Sequence, residues 1–143
     1  MLVACLVFLS VNALTGGAMM IIAPDGSLLK LSLLFLEGSP FHNFLFPGVA
    51  LFLILGVFPA LICYGMIFRK DYRWFAGINL FPHMQGVWTT SLYTGIMCIG
   101  WIIIQQLLTS FFILQPLIAS LGLLIVILTL LPRTQAYYLH LAP

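Results

Sequence analysis

Pro47–Phe68, read as PGVALFLILGVFPALICYGMIF, and the hexapeptide Arg69-Lys70-Asp71-Tyr72-Arg73-Trp74 behind it decide the fold. The first stretch carries no charge and, at about 1.5 Å rise per residue, is long enough to cross a hydrocarbon core about 30 Å thick. The second stretch is the densest charge cluster in the chain, placed where such a helix would emerge. The same alternation extends in both directions, so that only 6% of the 143 residues are charged while 63% are hydrophobic. A water-soluble domain carries about 25% charged residues. A mean hydropathy of +1.20 leaves too little polar surface to keep this chain dissolved, and its solvent is expected to be lipid.

The expected fold is all-α, a bundle of about four transmembrane helices in one domain over residues 1–143. Its spans are predicted at about 2–22, 47–68, 87–108 and 117–131. Pro24-Asp25-Gly26 ends the first, because proline cannot continue the helix and Asp-Gly favours a turn. Pro47 suits the first turn of the second, where its missing N–H is harmless. Pro59 inside that span is expected to kink it, and Gly48, Gly56 and Ala60 form a small-residue stripe that admits a close neighbour. Gln115-Pro116 reads as a short connection, and Pro132-Arg133 as the stop of the fourth span. Met1–Ile22 lacks the basic start of a signal peptide and stays apolar past Gly16, Gly17 and Ala18, so an uncleaved span is expected.

Two segments are too short or too polar to cross. Over 27–38, Ser27, Lys30 and Glu37 share one helical face and leucines cover much of the rest, which predicts a short interfacial helix. Residues 75–85, with Asn79, Pro82, His83 and Gln85, are expected along the interface on the other side. Arg69, Lys70, Arg73 and Arg133 fall on one side of this topology and Lys30 on the other. The positive-inside rule then puts both termini and the middle connection in the cytoplasm, with those four cations meeting lipid headgroups. Tyr137, Tyr138 and His140 read as interfacial anchors.

Composition also excludes. Five basic and three acidic side chains, net +2, are no nucleic-acid footprint. Cys5, Cys63 and Cys98 sit in apolar runs without a C-x-x-C pair or a histidine at ligand spacing, which argues against metal and redox roles. The chain has no Ser, His and Asp set, no H-E-x-x-H, no glycine-rich phosphate loop and no carboxylate pair within a span, so no catalytic residue is assigned. With no ionisable group in the middle of a span, proton or cation transport is disfavoured. A lone interfacial His83 could ligate a haem or chlorin but is more commonly hydrated, and no cofactor is expected.

The neutral polar groups remain. Asn12, midway along the first span, is expected to hydrogen-bond across to another helix for about 0.6 to 2 kcal/mol. Thr90, Thr94, Trp101 and Gln105 recur at helical spacing on an inward face of the third span. Gln105 falls near the outer interface, where Gln106, Asp25, Glu37, His42 and Asn43 could join it in a polar pocket.

Gly16-Gly17 with Pro24-Asp25-Gly26, Gly38-Ser39-Pro40-Phe41 with Phe46-Pro47-Gly48, Gly100-Trp101-Ile102 with Gln105, and Leu114-Gln115-Pro116 together form a pattern. It resembles a group of small four-span bacterial integral membrane proteins of unassigned activity. The resemblance implies a bacterial cytoplasmic (inner) membrane protein and brings no catalytic residues. The role expected from these readings is non-enzymatic, a structural or accessory subunit of a membrane complex or a homo-oligomer, with other subunits or further copies as partners. The alternative is a small carrier or pore for a neutral or lipidic solute, lined by Asn12, Thr94 and Gln105 and built from several copies.

Overall fold

The computed structural model describes residues 1–70, 73–108, 111 and 113–139, so Asp71, Tyr72 and His140 lie outside the described residues. The described chain is all-helical. Helix α1 spans Leu2–Ile22 and α2 spans Leu45–Phe68; after the short α3, Arg73–Gly77, come α4, Gly86–Leu108, α5, Leu114–Leu130, and α6, Pro132–Tyr138. Three of them, α1, α2 and α4, are long and apolar enough to cross a membrane, and α5 with α6 makes a fourth if that bent pair is one span.

Helix α1 stops where Pro24 cannot supply the next donor, after Ala23 N–H closes on Met19 O at 3.0 Å. The interfacial helix expected over 27–38 is corrected to two 3-10 turns, Ser27–Leu29 and Leu33–Leu36. Lys30 between them is left-handed at φ 53°, and Leu31 N–H folds back to Gly26 O at 3.0 Å. Ser32 Oγ then accepts from Leu34 N–H at 3.2 Å. Such local side-chain bonds compete with helix continuation, and here they win. Phe44 N–H reaches Pro24 O at 2.8 Å, so this connection leaves and rejoins the bundle at neighbouring points.

The effect of Pro59 is a π turn over Leu51–Val57 within α2, where Phe58 N–H bonds Leu53 O five residues back. Pro59 has no N–H to give to the carbonyls four and five residues back, and Ser10 Oγ of α1 donates to the neighbouring Gly56 O at 2.8 Å, which ties α1 to this irregular stretch. The expected connection at Gln115-Pro116 is also corrected. Helix α5 begins at Leu114 and takes both residues into its first turn, with Gln115 buried. A proline there lacks only a donor that had no helical partner.

Helix α1 lies along α2 and α4 along α5, while lighter contacts of α1 with α5 and of α2 with α4 close the ring. Each hairpin is drawn together by glycines. A Cβ on Gly48 would stand 2.6 Å from Met20 Cβ, and one on Gly95 would stand 2.7 Å from Val126 Cγ2 and 2.9 Å from Gly122 O. Leu6, Leu55, Ile62, Cys98 and Ile125 fill the core between the hairpins, and Phe75 of α3 plugs it from one end. Cys63 Sγ lies 3.9 Å from Val3 O, and Gln85 N–H bonds Tyr138 O at 3.0 Å. The N-terminal turn, the middle connection and the tail therefore share one end of the bundle.

Candidate functional site

That shared end holds a half-open cavity with polar groups at its rim. Helix α2 closes in a left-handed residue, Arg69 at φ 52°, and Lys70 N–H returns to Gly65 O at 2.9 Å. The C-cap satisfies the last carbonyls and turns two cations toward the bundle mouth. On the opposite wall, extended Leu131 and then Pro132 end α5, and proline in its preferred first position starts α6 at 63° to it. Gln135 Nε2 donates to Leu130 O at 2.9 Å, covering a carbonyl that the bend exposes.

Helix α6 is then tied across the mouth. Met84 and Leu139 pair as an isolated antiparallel bridge, and Trp88 Nε1 donates to Thr129 O at 2.8 Å just below. Asn79 braces the connection from the other side, giving Nδ2–H to Met84 O at 2.8 Å and accepting from the Thr89 hydroxyl. Between these walls lies a cavity of about 260 Å3 with an apolar floor of Gly65, Met66 and Val87. Arg69, Lys70, Gln85, Tyr137 and Tyr138 form its polar rim. Arg69 Nη2 donates to Tyr137 Oη at 2.8 Å and the guanidinium stands 5.6 Å from the centre of that ring, while Lys70 Nζ stands 5.6 Å from the centre of the Tyr64 ring. Burial pushes the Tyr138 phenol above its ordinary range, helped by Tyr137 and opposed by Arg69.

Of the six residues expected to form an outer polar pocket, Asp25 and Asn43 make bonds to near neighbours in the chain. Asp25 Oδ1 accepts from Ser27 N–H at 3.2 Å and from Ser27 Oγ–H at 2.8 Å, which holds its carboxyl below the usual range. Asn43 Oδ1 caps Leu45 N–H at 3.1 Å. Glu37, His42 and Gln106 are exposed, and Gln105 is half-buried. Asn12 is exposed on the outside of the bundle and its Nδ2–H goes to Phe8 O of its own helix at 2.8 Å. A carbonyl one turn upstream is the nearest acceptor for a short amide, and this bond occupies one Nδ2–H of Asn12 within its own helix.

On α4 the Thr90 and Thr94 hydroxyls bond to upstream carbonyls, at 2.8 Å to Gly86 O and 2.9 Å to Thr90 O. Trp101 Nε1 is buried with no partner. Arg73, Arg133 and His83 are exposed, and among the described residues no three His, Cys, Asp or Glu side chains could hold a metal ion.

Sequence reasoning assigned Arg69 and Lys70 to the headgroup zone but missed the cavity that they share with Gln85, Tyr137 and Tyr138. The available signal was Pro132, which starts a new helix as readily as it ends one and so swings the paired tyrosines back over the basic cluster. No family model, curated protein or solved structure matches this chain.

Proposed function

We propose that this chain is an integral subunit of a larger membrane assembly, with a structural or accessory rather than catalytic role, joined to other subunits or to further copies of itself. In this reading α1, α2, α4 and α5 cross a bacterial inner membrane, α6 lies at the cytoplasmic end, and both termini lie on that side with the basic residues.

One observation carries it: the Asn12 amide, midway along α1, lies on the outward surface. Its bond to Phe8 O uses one donor and leaves the amide oxygen for a group from outside the chain. In hydrocarbon an amide gains about 0.6 to 2 kcal/mol by meeting another helix. Ala4, Phe8, Val11 and Thr15 beside it are exposed at spacings of four, three and four, the pattern of a helix-packing seam. A carrier lined by Asn12, Thr94 and Gln105 has less behind it, because within one chain Asn12 faces out while Thr94 is buried.

Mild-detergent extraction followed by native mass measurement tests the proposal. Wild type is expected above the monomer mass, and Asn12→Leu is expected to shift the population toward monomer by about threefold to thirtyfold in association constant. A wild-type chain that runs as a lone monomer, with Asn12→Leu unchanged, overturns it.

A further inference from the structure

We infer that the cavity between the end of α2, Gln85 and α6 binds a phosphate ester, supplied in a membrane by the headgroup of an anionic phospholipid.

The charge balance at this end favours an anion. Four of the five basic residues, Arg69, Lys70, Arg73 and Arg133, belong to it, while Asp25 and Glu37 belong to the opposite connection and Asp71, which follows Lys70 in the sequence, lies outside the described residues. Among the described residues no carboxylate lines the cavity. Two cations at one rim raise the local positive potential, which an anion would relieve.

The donors are also held ready. Tyr137 takes a single N–H from the Arg69 guanidinium and leaves the rest of its planar fork, the geometry that grips phosphate oxygens in pairs. Lys70 is held over the Tyr64 ring, and Tyr138 lines the same cavity.

Size and surroundings select the ligand. A volume of about 260 Å3 equals roughly eight or nine waters' share of liquid, room for a phosphate and glycerol unit but not for acyl chains. The chains have their own place outside: Ile67 and Phe68, on the last turn of α2 beside the cavity, are exposed. Basic pockets between helices at the cytoplasmic face are where anionic headgroups dock.

The lipid source rests on the membrane reading above, whereas the phosphate chemistry does not, and the experiment separates them. The full chain is purified in mild detergent with equal phosphatidylglycerol and phosphatidylcholine, and retained lipid is read by native mass spectrometry. Separately, the chain in phosphatidylcholine nanodiscs is titrated with inorganic phosphate, and its thermal midpoint is followed. Phosphatidylglycerol is expected to be retained at least about tenfold over phosphatidylcholine, and Arg69→Gln or Lys70→Gln to remove about tenfold of that preference. Arg133→Gln, at the same end but outside the cavity, should change it by less than about twofold.

Lys70→Gln serves as the second variant, because Arg69 also caps α2 and its replacement risks the fold. A saturable phosphate response that Lys70→Gln abolishes, without lipid preference, supports the cavity and assigns it to a soluble phosphate compound. Equal loss in Arg133→Gln and Lys70→Gln overturns the proposal in favour of diffuse surface charge, as does absence of both lipid preference and phosphate response. A monomer that keeps the lipid preference counts against the assembly alone.

Discussion

At the scale of single residues, the decisive feature is where a side chain is missing. Gly48 lies against Met20 and Gly95 against Val126 and the Gly122 carbonyl, so even a methyl group would enter space already filled by a neighbouring helix. Gly100, in the same helix as Gly95, has nothing within 4 Å of a would-be Cβ. Overpacking of this kind costs about 1–3 kcal/mol. Gly48→Ala and Gly95→Ala should each lower the midpoint of unfolding in a detergent titration by that order, while Gly100→Ala should leave it within about 1 kcal/mol. Equal effects at all three positions would mean that close helix approach is not what these glycines provide. The stripe at Gly48, Gly56 and Ala60 was legible because small residues at helical spacing suggest a close neighbour whatever that neighbour is. The Gly95 to Gly122 contact was not, since on α4 the eye goes to hydroxyls at similar spacing, and a glycine gives no sign of which helix will meet it.

Among elements, the long apolar helices could be read directly, because in lipid every backbone N–H must be met within its own segment and an uninterrupted run has one way to do so. The connections could not. In 27–38 the leucine pattern fits a helix, yet Ser32 and the left-handed Lys30 break it into two turns, an outcome set by a few local hydrogen bonds of about 1 kcal/mol each. Pro132 could likewise be read as a stop, but its second use as a helix start depends on the Tyr138 carbonyl finding Gln85 N–H from a distant segment. Pro59 was legible as a disturbance and not as a π turn, because a proline only removes a donor, and how the preceding turn relaxes depends on what packs beside it, here Ser10 of α1 on Gly56 O. Ser10→Ala should therefore weaken the α1 to α2 pairing by about 0.6–1.7 kcal/mol, the range of interhelical hydrogen bonds in membranes. Ser120→Ala is the control, because the Ser120 hydroxyl is exposed and bonds only Pro116 O of its own helix. If both changes gave the same unfolding midpoint as wild type, the π turn would be stable without its outside donor.

For the molecule as a whole, the arrangement of polarity matters more than any site. Ser10, Thr89, Thr90, Ser91, Thr94 and Thr129 are buried while Phe8, Phe46, Leu53, Ile103 and Leu123 are exposed. Water would favour the reverse arrangement. Only 28% of the best apolar window in α1, and the same share in α2, is buried inside the chain, against 56% in α4. The apolar surface left over is consistent with a surrounding of lipid or neighbouring helices. The bundle then has two chemically different ends: Val3, Gln85 and Tyr138 meet at one, with Arg69 and Lys70, and the Asp25 to Asn43 connection occupies the other. If basic residues fix orientation, single cysteines introduced at Ala76 and Ala136 should react with an impermeant maleimide only from the cytoplasmic side of sealed inner-membrane vesicles. One at Ser27 should react only from the opposite side. The background is a chain with Cys5, Cys63 and Cys98 replaced by alanine or serine and shown to fold. Exchanging Arg69, Lys70 and Arg73 for glutamine while placing three lysines in the 27–43 connection should invert that pattern in a substantial fraction of molecules, because the same apolar helices then carry the opposite charge bias. Labelling of Ala76→Cys and Ser27→Cys from one common side would rule out this crossing topology, and an orientation unmoved by the charge exchange would mean that something other than these cations sets it.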